Sequence, residues 1–240
     1  EAYRRLCRHL DIEPDPLRFS DVVQQTVVPV RAVLDRLEVD TRGLFPLCSH
    51  NWDVQGEETD DGWNYTDEWG ITHHFPREQG HWWSMVAHPL DGLSIEPGRI
   101  AEHPWPDPED PHRFAGLREQ AERYREEGRV VMIKGLCAGL FEMGQRLRGM
   151  ENFLCDLMAE PKSAGALLDR LVECKARFWT AALEAVGDLV DIVVETDDYG
   201  TQESQLISRD LYKTMIEPRL ARLLTHLRER LDAIPGDARR

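Results

Sequence analysis

Two short runs constrain the fold of this chain more than anything else in it. Val130-Val131-Met132-Ile133 and Leu189-Val190-Asp191-Ile192-Val193-Val194 are nearly continuous in apolar, largely β-branched residues. That is the pattern of strands covered on both faces in a parallel sheet. Between them, helical periodicity runs from Phe141 to Arg148, from Met150 to Met158 and from Lys162 to Val186. A charged helix from His112 to Glu127, closed by Gly128, precedes the first run, and Ser208 caps a helix through Leu231 after the second. Strand, helix, strand, helix with connections of this length predicts an α/β fold with a parallel sheet, either an open sheet or a barrel.

The N-terminal half has a different rhythm. Tyr3, Leu6 and Leu10 keep helical spacing up to the breaker Glu13-Pro14-Asp15-Pro16. Ser20 is read as the N-cap of a second helix carrying Val23, Val27, Val30, Leu34 and Leu37, bent at Pro29. Val39 to Pro46 predicts a strand. From Cys48 to His88 the helical signal disappears, with a hairpin expected over Trp63 to Thr72 and a proline-rich connector over His103 to Pro111.

Charge narrows the partners. Lys and Arg number 29 against 44 Asp and Glu, a net charge of −15, which suits neither phosphate backbones nor anionic membranes. Nucleic acid and membrane are therefore not expected, and a small-molecule substrate is. The five cysteines are widely spaced without a C-x-x-C pair, so a reducing, cytoplasmic setting is expected. Glu1 to Leu10 lacks the apolar core of a secretory signal.

In parallel α/β folds ligands sit at the carboxyl ends of the strands. After the second run stands Glu195-Thr196-Asp197-Asp198-Tyr199-Gly200-Thr201-Gln202, three carboxylates and an amide. Crowded acids raise one another's pKa and suit general acid or base work, or they are solvated loop acids. After the first run, Lys134-Gly135-Leu136-Cys137-Ala138-Gly139 is a small-residue turn without P-loop spacing. Cys137 reads as an activated thiol or, more simply, as a structural cysteine. Asp40 and Arg42 share one face of the first predicted strand and could grip a polar substrate or pair with other charges. Cys48, His50 and Asp53, and His73, His74, His81 and His88, supply metal-ligand types without any zinc spacing, so no metal ligand is expected.

Asp67-Glu68-Trp69-Gly70, Arg148-Gly149-Met150-Glu151-Asn152-Phe153, Asp197-Asp198-Tyr199-Gly200-Thr201-Gln202, Leu206-Ile207-Ser208 and Glu217-Pro218-Arg219 together resemble the uroporphyrinogen decarboxylase superfamily, in the branch of corrinoid-dependent methyltransferases. The resemblance runs through nearly the whole chain. It implies a (β/α)8 barrel with its site at the C-terminal mouth, and a single domain over 1–240. Within that domain N-terminal helices span 1–38, barrel strands and helices span 39–240, and an irregular insertion occupies about 48–111. It also implies that Asp40 stands where the decarboxylases keep an aspartate that binds pyrrole nitrogens, Asp198 near a substrate-contacting serine and Gln145 near a tyrosine. Catalysis is thus expected of Asp40 and Asp198, and substrate binding of Arg42, Gln145, Asp197, Tyr199 and Gln202.

The resemblance also has departures. The arginine-rich N-terminal motif that holds substrate carboxylates in the decarboxylases is missing from this sequence, as is the His-x-Cys zinc motif of the methyltransferases, which belongs to a later strand. Three barrel strands are identified where eight are needed. The expectation is a piece of a larger barrel, or a homodimer that covers an open edge. The activity implied is corrinoid-linked methyl transfer on a small substrate, with zinc and a corrinoid, or a corrinoid protein as partner, belonging to the complete enzyme and no cofactor within this chain. Decarboxylation of a porphyrinogen or related polycarboxylate, and a non-catalytic partner module, are the alternatives.

Overall fold

The structure is a computed structural model that describes residues 1–13, 16–23, 25–50, 52, 56–78, 80 and 82–235. Pro14 and Asp15 of the N-terminal breaker, and Asp53 and His81 among the candidate metal ligands, lie outside the described residues.

Helix α1 (Ala2–His9) forms as its periodicity predicts, and its Tyr3 hydroxyl accepts a hydrogen bond from the Val30 amide at 2.8 Å. The helix expected from Ser20 is a correction. Instead β1 (Phe19–Asp21) and β2 (Thr26–Val27) make an antiparallel pair, and among the described residues of this stretch only α2 (Arg31–Arg36) is helical. The clustered valines Val22, Val23, Val27 and Val28 favour extended backbone. Pro29, which lacks an amide hydrogen, then separates them from the helical register that follows. Strand β3 (Thr41–Leu44) comes next.

Part of the stretch expected to be an irregular insertion, within residues 56–87, is regular. It folds as a four-stranded antiparallel meander of β4 (Gly56–Glu58), β5 (Gly62–Thr66), β6 (Thr72–Pro76) and β7 (Ser84–Ala87), in that spatial order. The predicted hairpin is its centre: Trp63 lies opposite Phe75 and Tyr65 opposite His73. After α3 (Pro97–Glu102) the proline-rich connector leads through a short 3-10 turn into α4 (Leu117–Glu126). Gly128 ends that unit at φ +68°, a left-handed conformation that glycine adopts without steric cost.

Then β8 (Val130–Lys134) is followed by α5 (Leu140–Arg148), α6 (Met150–Ala159) and α7 (Pro161–Val186), and β9 (Ile192–Val194) closes the parallel part. The three strands run in the order β3-β8-β9, with Thr41 beside Val130 and Met132 beside Ile192. Three parallel strands with intervening helices are an α/β arrangement. No closed barrel is formed among the described residues. Full burial of both strand faces is not what the structure shows. Val131 and Ile133 are fully buried, whereas Ile192 is 42% exposed, because Val131 and Ile133 pack into the helix-lined core and the opposite face lacks such a cover.

Ser208 caps the last helical segment, its hydroxyl accepting from the Leu211 amide at 3.1 Å. That segment runs from α8 (Arg209–Leu211) through one π turn into α9 (Glu217–Asp232). Pro218 lacks the amide an unbroken helix would need at this point, and the wider turn absorbs the loss. Helix α7 is the spine of the core, with Leu167, Leu168, Leu171, Phe178, Trp179 and Ala182 all fully buried along one stripe.

Candidate active site

The carboxyl ends of β3, β8 and β9 open into one cleft of about 560 Å³, within the ~300–1,000 Å³ usual for small-molecule sites. Its floor comes from the parallel strands: Phe45 to Cys48 after β3, Lys134 to Ala138 after β8 and Thr196 after β9. Helix α5 adds Glu142, Met143 and Arg146. The remaining wall is supplied by the β1–β2 pair and by Tyr65, Asp67, Glu68 and Trp69 of the meander.

Each acid in that wall is held by its neighbours. One Asp67 oxygen accepts from the Trp69 and Ile71 amides at 2.9 and 3.0 Å, and the other meets His73 Nε2 at 2.8 Å. Gly70, at φ +79°, makes the tight turn possible. His73 is fully buried and stacks on Tyr65 with ring centroids 4.7 Å apart. Glu68 is gripped by the buried Arg113 guanidinium through two bonds of 3.1 and 2.5 Å. Asp67-Glu68-Trp69-Gly70 is thus a scaffold that shapes the cleft.

Beneath the floor lies a buried ion pair. Lys175, inside α7, donates to Glu195 at 2.7 Å, and the Trp179 indole donates to the other Glu195 oxygen at 2.5 Å. Burial alone would lower the Lys175 ammonium's pKa. The neighbouring Cys137 and Glu195, with the hydrogen bond, outweigh that and hold it above its ordinary value. Cys137, in the turn above, is pushed up to about 12 by burial and then by the Glu195 carboxylate, against the opposing pull of Lys175. It is a protonated thiol, and the activated-thiol reading does not fit it.

Asp197 performs a different task from that of an exposed acid. Its oxygens accept from the Phe141 and Glu142 amides, both at 2.9 Å. The carboxylate satisfies two orphan donors in the first turn of α5 and meets the positive end of that helix. Asp198 is exposed and accepts from the Gly200 amide at 3.3 Å. Tyr199 packs between Phe141 and Tyr212 at 5.7 and 5.2 Å. Its buried hydroxyl has no hydrogen-bond partner among the described residues, and desolvation followed by the Asp197 charge raises its pKa. Gln202 is exposed in a tight loop closed by the Thr201 amide on the Ser204 carbonyl at 2.7 Å.

The structure therefore gathers Asp197, Asp198, Tyr199 and Gln202 at the carboxyl end of β9, beside the cleft, where Thr196 lines it. Asp40 and Arg42 are not brought there. Asp40 is exposed before the first residue of β3, its carbonyl accepting from the Val130 amide at 3.1 Å, so it stands at the amino end of the sheet. Arg42 is buried, and its guanidinium turns back to the Val39 and Thr41 carbonyls at 2.6 and 3.0 Å and to Asp35. The expected shared substrate grip is corrected: strand pairing begins at Thr41, which puts both groups on the far side from the cleft. Gln145 bonds within α5, to the Phe141 carbonyl at 3.4 Å.

Sequence reasoning overlooked Lys175, Trp179 and Arg113. A lone lysine between Leu171 and Phe178 on an otherwise apolar helix face was the available signal. A fit for zinc is not found. Among the described residues no three His, Cys, Asp or Glu side chains stand together to hold a metal ion.

Near the cleft rim, Asp110 accepts from the Ser49 hydroxyl at 2.6 Å and from the His50 and His112 amides at 2.7 and 2.9 Å. The Ser49 bond, then the His50 amide, hold its carboxyl well below the ordinary range. Because the folded form binds its proton more weakly than the unfolded chain does, Asp110 contributes stability above about pH 4 that is lost as the pH falls further. Urea midpoints between pH 5 and pH 2 are expected to fall less steeply in Asp110→Asn than in the parent; parallel curves would remove Asp110 from the acid response.

The family model for uroporphyrinogen decarboxylase (URO-D) matches residues 74–236, more than half of the chain. Among solved structures, a methyltransferase from Methanosarcina mazei is similar with a TM-score of 0.47 and 13% identity, the match covering 93% of this chain and 66% of that one. This chain thus spans just under two thirds of that neighbour's length. No curated protein matches it. The matched segment supplies the β8, α5 and β9 side of the cleft, and by that match the chain belongs to the uroporphyrinogen decarboxylase family.

Proposed function

We propose that the cleft is the substrate site of a methyl-transferring member of this family, which acts on a small methylated compound together with a corrinoid-bearing partner protein. The observation that carries this reading is the location of Asp40. The resemblance puts Asp40 in the place of the decarboxylases' substrate-binding aspartate, and Asp40 stands exposed at the opposite end of β3 from the cleft. The cleft's size agrees with a small substrate. A corrinoid, when bound to its partner, supplies the cobalt that exchanges the methyl group. This chain's residues bind and orient the methylated compound: the aromatic and acid-braced wall encloses it, and the loop of Asp198 and Gln202 marks the mouth where a partner would meet it.

The test uses the protein with cob(I)alamin and a panel of small O-methyl and N-methyl compounds, followed by visible absorbance. Protein-dependent methylation of the corrinoid by at least one of them is expected. Release of carbon dioxide from a porphyrinogen acid, with no methyl transfer from any donor, would overturn the proposal.

A further inference from the structure

Two buried imidazoles brace the turn at Asp67–Gly70, and each has one ring nitrogen left over. His73 points Nε2 at Asp67, and its Nδ1 is buried with no partner among the described residues. His103, 9% exposed, ends α3 and packs behind the turn, where a Cβ on Gly70 would lie 3.5 Å from its Cε1. Its ring is hydrogen-bonded to the Trp69 backbone, and its Nε2 is buried without a partner among the described residues. The ring stands at right angles to Trp105 at 5.0 Å, and Trp105 stands at right angles to Trp69 at 6.2 Å. Trp69 is the member of this row that lines the cleft.

A neutral imidazole suits such a place, since it carries one N–H and one bare nitrogen. Protonation adds a second N–H with nothing to accept it, and a charge taken out of water. The Asp67 charge favours the protonated ring, but its oxygens already serve two amides and His73. Glu68 is held by Arg113, and Arg99 of α3 by the Pro89 and Asp91 carbonyls. Glu102 is exposed. Arg170 of α7, paired with Glu173, lies over Trp105 at 5.4 Å. Burial outweighs the Trp69 bond and the Asp67 charge, and holds the His103 ring below its ordinary value of 6.5.

From this geometry we propose that His103 is an acid-sensitive latch on the cleft wall: on gaining a proton its ring leaves the aromatic row, the Asp67–Gly70 turn parts from α3 and the connector, and Trp69 no longer closes the cleft. The folded form binds this proton more weakly than the unfolded chain does. The latch is therefore fully engaged above about pH 6.5 and lost as the pH falls through the lower value of the folded ring. It acts whichever compound the cleft takes.

The test labels the protein with 5-fluorotryptophan and follows Trp69, Trp105 and Trp179 by fluorine NMR from neutrality to about pH 4.5, above the range in which Asp110 acts. Trp69→Phe, Trp105→Phe and Trp179→Phe assign the signals. Trp69 and Trp105 are expected to shift together with a midpoint below pH 6.5. The His103 ring proton, identified by its contact with Trp105, is expected to share that midpoint. A neutral gadolinium chelate is expected to broaden Trp69 severalfold more in acid, while Trp179 in the core stays unchanged. His103→Phe keeps a ring without the proton site and is expected to hold Trp69 protected throughout. His103→Gln, neutral at every pH, is the second arm should a phenyl ring disturb the turn, and the shared midpoint in the parent needs neither variant. Trp69 still protected in acid, a midpoint unlike that of the His103 ring, exposure that persists in a folded His103 variant, or a simultaneous change at Trp179 would each overturn the latch.

Discussion

Replacing Lys175 by methionine lowers the free energy of unfolding by about 3–5 kcal/mol, the cost typical of removing one partner from a buried pair. Lys175 is 1% and Glu195 12% exposed at the side chain, so the orphaned carboxylate cannot be rescued by water. Only the Trp179 indole would remain to it. The double variant Lys175→Met with Glu195→Gln is expected to recover most of the loss, because the amide still accepts from Trp179 and no unpaired charge is left. Urea unfolding of the single and double variants reads both effects as shifts in midpoint at constant slope. A single variant within about 1 kcal/mol of the parent would mean that Glu195 finds another cation or simply protonates.

Gly139→Ala is the second large effect. A Cβ at this position would lie 2.0 Å from Asp197 Cγ and 2.4 Å from the Thr196 carbonyl oxygen, and the latter is backbone that cannot swing aside. The β9 loop must therefore retreat from the start of α5. Overpacking of this kind costs about 1–3 kcal/mol, and loss of the Asp197 cap adds about 1 kcal/mol. Asp197→Ala is the control, since it removes the cap without moving Thr196. Thermal unfolding of the two variants decides the matter. A Gly139→Ala protein no less stable than Asp197→Ala would show that α5 and the β9 loop tolerate a wider gap than the structure gives them.

What could be read in the sequence follows from how local each feature is. Helices α4 to α7 and strand β8 were legible within a few residues because burial imposes its period on a contiguous stretch, as at Val130-Val131-Met132-Ile133. The β1–β2 pair was missed because valines three or four residues apart satisfy helical spacing as well as extended preference, and only pairing with a partner strand decides between them. The strand end after β9 stands where the sequence put it, but the partners of its acids were not visible there. Asp197 meets α5 across 55 residues of sequence or more, and no spacing rule announces a cap supplied from so far away. Asp40 shows the converse failure. Its nearness to a strand was visible, whereas the end of the strand it occupies depends on where parallel pairing starts.

The division of the cleft between two sources has a further consequence. Its floor is built from βα turns that also carry the core, so a substitution there, as at Gly139, is paid in stability. Its opposite wall comes from the β1–β2 pair and the antiparallel meander, outside the packed helices. The exposed β1–β2 side of that wall can therefore change its lining with less disturbance to the core than the floor can.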